Sequence, residues 1–155
     1  NAMFKFSYGL FVLSAVDGDK HNGCIINTGI QLTDTPKRIA IAVNKANYTH
    51  DMIINSRKFN LSILDNTAPF DLFKQFGFQS GRDSEKFDGK YQIRLSKNGV
   101  VYLSQHCSAF ISGEVVDALD YGTHTLFVAD VTQAQILSED LTRALPPKLC
   151  EVRRE

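Results

Sequence analysis

The sequence predicts a mainly β domain with a few packed helices, an α+β chain built around an antiparallel barrel. Three observations lead there. Apolar segments are short and rich in Val, Ile, Phe and Thr, which suits strands. Candidate strands outnumber candidate helices and tend to be joined by short turn signals rather than by alternating helices. The two longest β-prone stretches, residues 107–118 and 125–137, are separated only by Asp120-Tyr121-Gly122 and a few further residues.

Taken in order, residues 10–16 form an apolar strand that turns at Asp17-Gly18-Asp19-Lys20 into residues 21–26, a hairpin. Residues 27–36, rich in Thr, Gly, Asp and Pro, read as a connection, and residues 38–43 as a strand buried on both faces. Tyr48, Met52 and Ile53 at helical offsets predict a short helix over 47–57 with Asn47 or Thr49 as N-cap. Phe59, Leu61 and Ile63 alternate with Asn60 and Ser62, the period of a half-buried strand. Phe70, Phe73 and Phe76 then mark a two-turn helix, capped by Thr67, with Pro69 in its first turn and Gly77 as its stop. These three rings read as core. Residues 91–95 and 100–103 flank Lys97-Asn98-Gly99 as a second hairpin, followed by the two long strands.

Composition bounds function. The chain has 155 residues, 43% hydrophobic and 22% charged, which is the range of a globular protein large enough for one real core. Asn1 and Ala2 before Met3 read as an expression-tag remnant, leaving 3–155 as a single domain. Lys plus Arg and Asp plus Glu both count 17, so no whole-chain basic field points to nucleic acid or to anionic lipid. No apolar run approaches the roughly 20 residues of a membrane span, and no leader pattern opens the chain. The expectation is a cytoplasmic protein. Cys24, Cys107 and Cys150 show no C-x-x-C spacing, and His21, His50, His106 and His124 are scattered, so no metal site is predicted. Phosphate-loop, dinucleotide-fold, serine-hydrolase and zinc-protease signatures are missing.

What stands out is a set of polar clusters at predicted strand ends: Asn22-Gly23-Cys24 with Asn27-Thr28, Asn44 to His50, Ser80 to Asp83, and Gly122-Thr123-His124. They are positioned to converge at one rim of a barrel. With Tyr8-Gly9-Leu10, the stretches Asn22 to Thr28, Thr33 to Pro36, Asn44 to His50, FGFQSGRDSEKF over residues 76–87 and GTHTLF over 122–127, the chain resembles the flavin reductase-like proteins. That family binds FMN on a split β-barrel of antiparallel Greek-key type. The resemblance runs to about Leu137 and is nearest to flavoredoxin-like members and to the reductase portion of rubredoxin fusions.

The resemblance implies an FMN-binding oxidoreductase working as a homodimer, reduced by NAD(P)H or by a redox carrier protein, with the flavin carrying the chemistry. The alternatives are a non-catalytic electron-transfer flavoprotein and a barrel that has lost flavin. By the same resemblance, Asn22, Gly23, Cys24, Ile25, Asn27 and Thr28 run beside the isoalloxazine, with backbone N–H groups facing its N1-C2-O2-N3 edge and Gly23 permitting close approach. Asn44, Lys45, Asn47, Tyr48 and Thr49 then sit near the phosphate, together with Ser80, Arg82 and Lys86. A helix opening at Asn47 would attract an anion independently of any family. Arg82 and Lys86, four apart, share a side if that segment is helical; otherwise Lys45, Arg82 and Lys86 are solvated charges. His50 is either a phosphate donor or an exposed first-turn residue. Cys24 either touches the ring or packs as a small hydrophobe, and Tyr8 likewise touches the ring or packs. His124 stands where relatives show Gly-Asp-His but here follows Thr123; it is a flavin or nicotinamide contact, possible in catalysis, or a turn-flanking strand residue. The C-terminal Leu145-Pro146-Pro147 tail leaves an aromatic lid short or missing.

Overall fold

The computed structural model describes residues 1–77, 79–82 and 85–139. A 3-10 turn over Ala2–Lys5 precedes the hairpin of β1 (Phe11–Asp17) and β2 (Lys20–Ile26). β3 (Gly29–Thr33) and β4 (Arg38–Asn44) follow, then α1 (Tyr48–Ser56), β5 (Lys58–Leu64) and α2 (Phe70–Gly77). β6 (Ile93–Leu95) and β7 (Val101–Leu103) form the second hairpin, and the 14-residue β8 (Cys107–Asp120) and 13-residue β9 (His124–Ile136) close the described chain. Seven strands make one antiparallel sheet in the order β2-β1-β5-β8-β9-β4-β3, with β6-β7 as a separate ribbon.

Both faces of β1 are buried. Leu13 and Ala15 join Ile41, Phe59 and Phe127 in one cluster, while Leu10 and Val12 meet Leu72, Phe73 and Phe76 of α2 in another. α1 turns Met52 and Ile53 onto the first cluster. Asn47 is its N-cap, its Oδ1 accepting from Thr49 N at 3.0 Å, and Arg57 ends it in the left-handed region with φ 64°.

Four expectations need correction. Residues 29–33 are a strand rather than a connection: β3 lies at the sheet edge with every residue after Gly29 exposed, and its short Ile30/Leu32 alternation is hidden in sequence by the Thr, Asp and Pro that flank it. β5 is buried on both faces, because the β6-β7 ribbon covers its polar side. There Asn60 Nδ2 donates to Ser96 Oγ at 2.9 Å and to the carbonyls of Val100 and Val101 at 2.9 and 3.1 Å. Thr67 does not cap α2; its amide and hydroxyl donate to Asp65 Oδ1, and Pro69 sits just ahead of the helix. Phe70 is 57% exposed, so the buried face of α2 runs through Leu72, Phe73 and Phe76. Cys150 and the tail at Leu145-Pro146-Pro147 lie outside the described residues, as do Phe78, Asp83 and Ser84.

Candidate functional site

A groove of about 1030 Å³ opens where the end of β2, the end of β4 with the start of α1, the end of α2 and the start of β9 meet. Its walls bring together Cys24, Ile25, Asn27 and Thr28; Asn44, Asn47 and Tyr48; Ser80; Lys86; and His124. Asn44 and His124 are register partners across β4 and β9, so the pairing of two strands remote in sequence juxtaposes two of the polar clusters. The volume is at the top of the roughly 300–1,000 Å³ typical of small-molecule sites.

The remaining sequence-predicted residues lie behind or beside these walls. Asn22 is 1% exposed and donates to Thr49 Oγ1 at 3.0 Å, tying β2 to α1. A Cβ on Gly81 would fall 2.1 Å from Asn22 Oδ1, so the 79–82 segment closes directly on that carboxamide. Gly23 does permit a close approach, but the groups that use it are Phe87 and Phe76: a Cβ there would meet Phe87 Cζ at 3.1 Å. Lys45 pairs with Asp120 at 2.5 Å. His50 is 7% exposed rather than a surface residue, with Nε2 2.7 Å from Thr125 Oγ1 and Nδ1 3.0 Å from Asp51 Oδ1.

Arg82 and Lys86 do not share a helical side. Arg82 lies in a turn and is exposed, its Nη2 2.8 Å from Asp51 Oδ2 and its guanidinium 4.7 Å from the centre of the Tyr48 ring. Lys86 is 3% exposed; its ammonium donates to Gly23 O at 2.8 Å and to Phe76 O at 3.2 Å. Phe76 O belongs to the last turn of α2, where carbonyls lack intrahelical partners and the dipole favours a cation. Burial pulls the Lys86 pKa below the ordinary lysine value, opposed by Cys24. Cys24 itself is 3% exposed and lines the groove.

Sequence reasoning missed Met3, Phe4, Phe76, Gly77 and Gln79 as wall residues. Phe76 was assigned wholly to the core, and it is both core and wall. The first residues carry no motif that announces the site.

The walls differ in chemistry. The first turn of α1 sets the positive end of a helix dipole beside Asn47 and Tyr48, its Thr49 and His50 amides held by the Asn47 cap, with Arg82 stacked on the Tyr48 ring and paired with Asp51. Ile25, Phe76, Tyr48 and Tyr8 offer flat apolar surface. Asn27 is 6% exposed and its Oδ1 is buried without a hydrogen-bond partner among the described residues. These features fit a planar ring with a polar edge and an anionic tail, as FMN has. Among the described residues, no three His, Cys, Asp or Glu side chains gather as a metal would require, and no helix is long and apolar enough to cross a membrane.

Comparison with known proteins places the groove in context. The family model described as flavin reductase like domain matches residues 3–148. The high molecular weight rubredoxin of Moorella thermoacetica is 39% identical over 136 residues, covering 88% of this chain and 59% of that protein. The chain thus spans less than two-thirds of that relative. The ferric-chelate reductase (NAD(P)H) of Archaeoglobus fulgidus is 38% identical over 138 residues, covering 89% of this chain and 81% of the relative. Among solved structures, flavin reductase PheA2 in its native state superposes with a TM-score of 0.80 at 24% identity, covering 95% of this chain and 90% of that one.

Proposed function

The chain belongs to the flavin reductase-like domain family, and from that premise we propose that it binds FMN in the groove and passes reducing equivalents from NADH or NADPH to an acceptor. The observation that carries the flavin assignment is the pairing, in one groove, of the start of helix α1 with a wall of aromatic and aliphatic side chains. The redox chemistry, acceptance of two electrons and their onward delivery singly or in pairs, is supplied by the flavin when bound.

The chain's own residues bind and orient. The α1 first turn and Arg82 receive the phosphate, with Asn44, Asn47 and Tyr48 shaping its approach. Arg82, exposed beside the groove and paired there with Asp51, is the cation free to turn toward the phosphate, whereas the buried Lys86 ammonium is held by two backbone carbonyls. Lys86 instead fixes β2 against α2, and so sets the distance between two groove walls. Cys24, Ile25 and Thr28 border the ring, and His124, beside Thr123, lines the same groove as a contact for the flavin or for the reductant.

FMN and riboflavin titrations of the flavin-free protein, followed by flavin fluorescence, test this reading. Arg82→Ala should weaken FMN about tenfold, the scale of one charge-assisted hydrogen bond, and leave riboflavin unchanged. A protein that binds neither flavin would overturn the proposal.

A second reading, an electron carrier reduced by another protein, is favoured by Thr123 standing where relatives place an acid beside the histidine. Stopped-flow mixing of the FMN-loaded protein with NADH and with NADPH separates the two: rapid bleaching marks a reductase, and bleaching only by a reduced carrier protein marks the alternative. A homodimer belongs to the same proposal, supported by exposed Ile30 and Leu32 on β3 and Val116 and Leu119 on β8. A cytoplasmic setting, where reduced nicotinamides are supplied, is part of it as well.

A further inference from the structure

The first eight residues lie outside both core clusters. The 3-10 turn over Ala2–Lys5 closes on its own cap, with Met3 N donating to Asn1 Oδ1 at 3.0 Å and Phe4 N to Asn1 O at 3.2 Å, and none of its residues is buried. Yet Met3, Phe4 and Tyr8 all line the groove, Met3 51% exposed and the two rings half-buried. Tyr8 in turn meets the Phe6 ring, with centroids 6.0 Å apart. Apolar side chains held partly in water at the edge of a groove gain once a flat apolar surface covers them. The sheet register fixes which end of the groove they serve. β1 pairs with β2, Phe11 opposite Ile26 and Val12 opposite Ile25, so the chain entering β1 runs beside the β2 exit, the wall that borders the ring. The start of α1 is tied to β2 further back, at Asn22 through Thr49. Asn22 and Ile26 are about 13 Å apart along an extended strand, which separates this arm from the phosphate end.

We propose that residues 3–8 are a positioning arm that covers the ring of the bound flavin, with the Met3 thioether and the Phe4 ring as its apolar contacts. This rests on the flavin reading and deepens it. Both side chains suit the task, since a polarizable sulfur and an aromatic face each pack favourably on a planar ring. Three properties follow from where the arm lies. Its contacts are apolar and sit at the ring end, so they are indifferent to whether the ligand carries a phosphate. It stands outside both core clusters, so removing its apolar groups leaves the stability of the flavin-free protein unchanged. It covers a ligand that must pass it to leave, so its loss is felt in the rate of dissociation.

The test compares wild type with the double variant Met3→Ser, Phe4→Ser and with Phe4→Leu, which keeps an apolar side chain. Fluorescence titrations with FMN and with riboflavin give affinities, stopped-flow dilution gives dissociation rates, and thermal unfolding of each flavin-free protein reports the fold. The double variant should lose on the order of tenfold in affinity for both flavins alike, through faster dissociation and with its unfolding midpoint unchanged. Phe4→Leu should stay within about threefold of wild type. Unchanged affinity in the double variant, or a loss confined to FMN, would overturn the arm's role and leave FMN binding standing. Tighter binding would overturn it as well, because the arm would then be occupying the ring's place. A fall in the unfolding midpoint would assign Met3 and Phe4 to the fold and overturn it too. Failure of wild type to bind either flavin would overturn the flavin reading, and this inference with it.

Discussion

Tyr91 shows how far a single side chain can depart from its solution chemistry without any part in the groove. Its hydroxyl donates to Asp71 Oδ2 at 2.8 Å, and burial together with the neighbouring carboxylate raises its pKa to about 12. A raised value means that the neutral phenol is stabilised by folding. That contribution is complete below the unfolded value near 10 and is lost as pH rises through 12. The difference in phenolate absorbance between wild type and Tyr91→Phe should therefore appear near pH 12; a midpoint near 10 would contradict the contact. Legibility at this scale was uneven. Asn47 as a cap was visible because capping chemistry is local. The burial of His50 was not, since it depends on Thr125 in a strand 75 residues away. Gly23 was recognised as a close-approach position, yet the partner that approaches is Phe87, which no pattern around residue 23 could name.

At the scale of elements, the hairpins, both helices and the two long strands were readable because turn residues and apolar periods lie within each segment. β3 and the hidden face of β5 were not, because an edge strand needs only its backbone ladder, and the cover over Asn60 and Ser62 comes from residues 93–103. Lys86 links elements in the same remote way, joining β2 to the end of α2. Its lowered pKa means that the unfolded chain binds more protons between that lowered value and 10.5, so this lysine adds stability as pH rises across that interval. Lys86→Met removes both the buried charge and two hydrogen bonds, effects of about 1–3 kcal/mol each that oppose one another near neutrality. The variant should then lie within about 1 kcal/mol of wild type at pH 7 and fall progressively behind it toward pH 10 in urea denaturation. A gap that stays constant or narrows would refute the assignment. FMN and riboflavin should weaken together in this variant, in contrast to Arg82→Ala.

For the molecule as a whole, the sheet order β2-β1-β5-β8-β9-β4-β3 decides which loops become neighbours. The sequence pattern reached the class, an antiparallel barrel with helices, and the grouping of the polar clusters at one rim, and the family resemblance reached the split-barrel form. Strand order itself is set by pairings such as β1 with β5 and β4 with β9, which span long stretches of chain and leave no local trace. Exposed apolar residues at the edge give the assembly prediction: Ile30→Glu with Leu32→Glu should shift sedimentation from dimer to monomer, and a wild type already monomeric would remove that part of the proposal. The groove has a kinetic consequence of its own. Since its walls draw on residues as far apart in the chain as Met3, Cys24, Asn44, Phe76, Lys86 and His124, no fragment lacking one of these segments can assemble it, and loop closure over such spans is slow. In a refolding experiment, far-ultraviolet ellipticity should recover before the ability to quench flavin emission, so that ligand capture serves as a clock for the last long-range pairing to form.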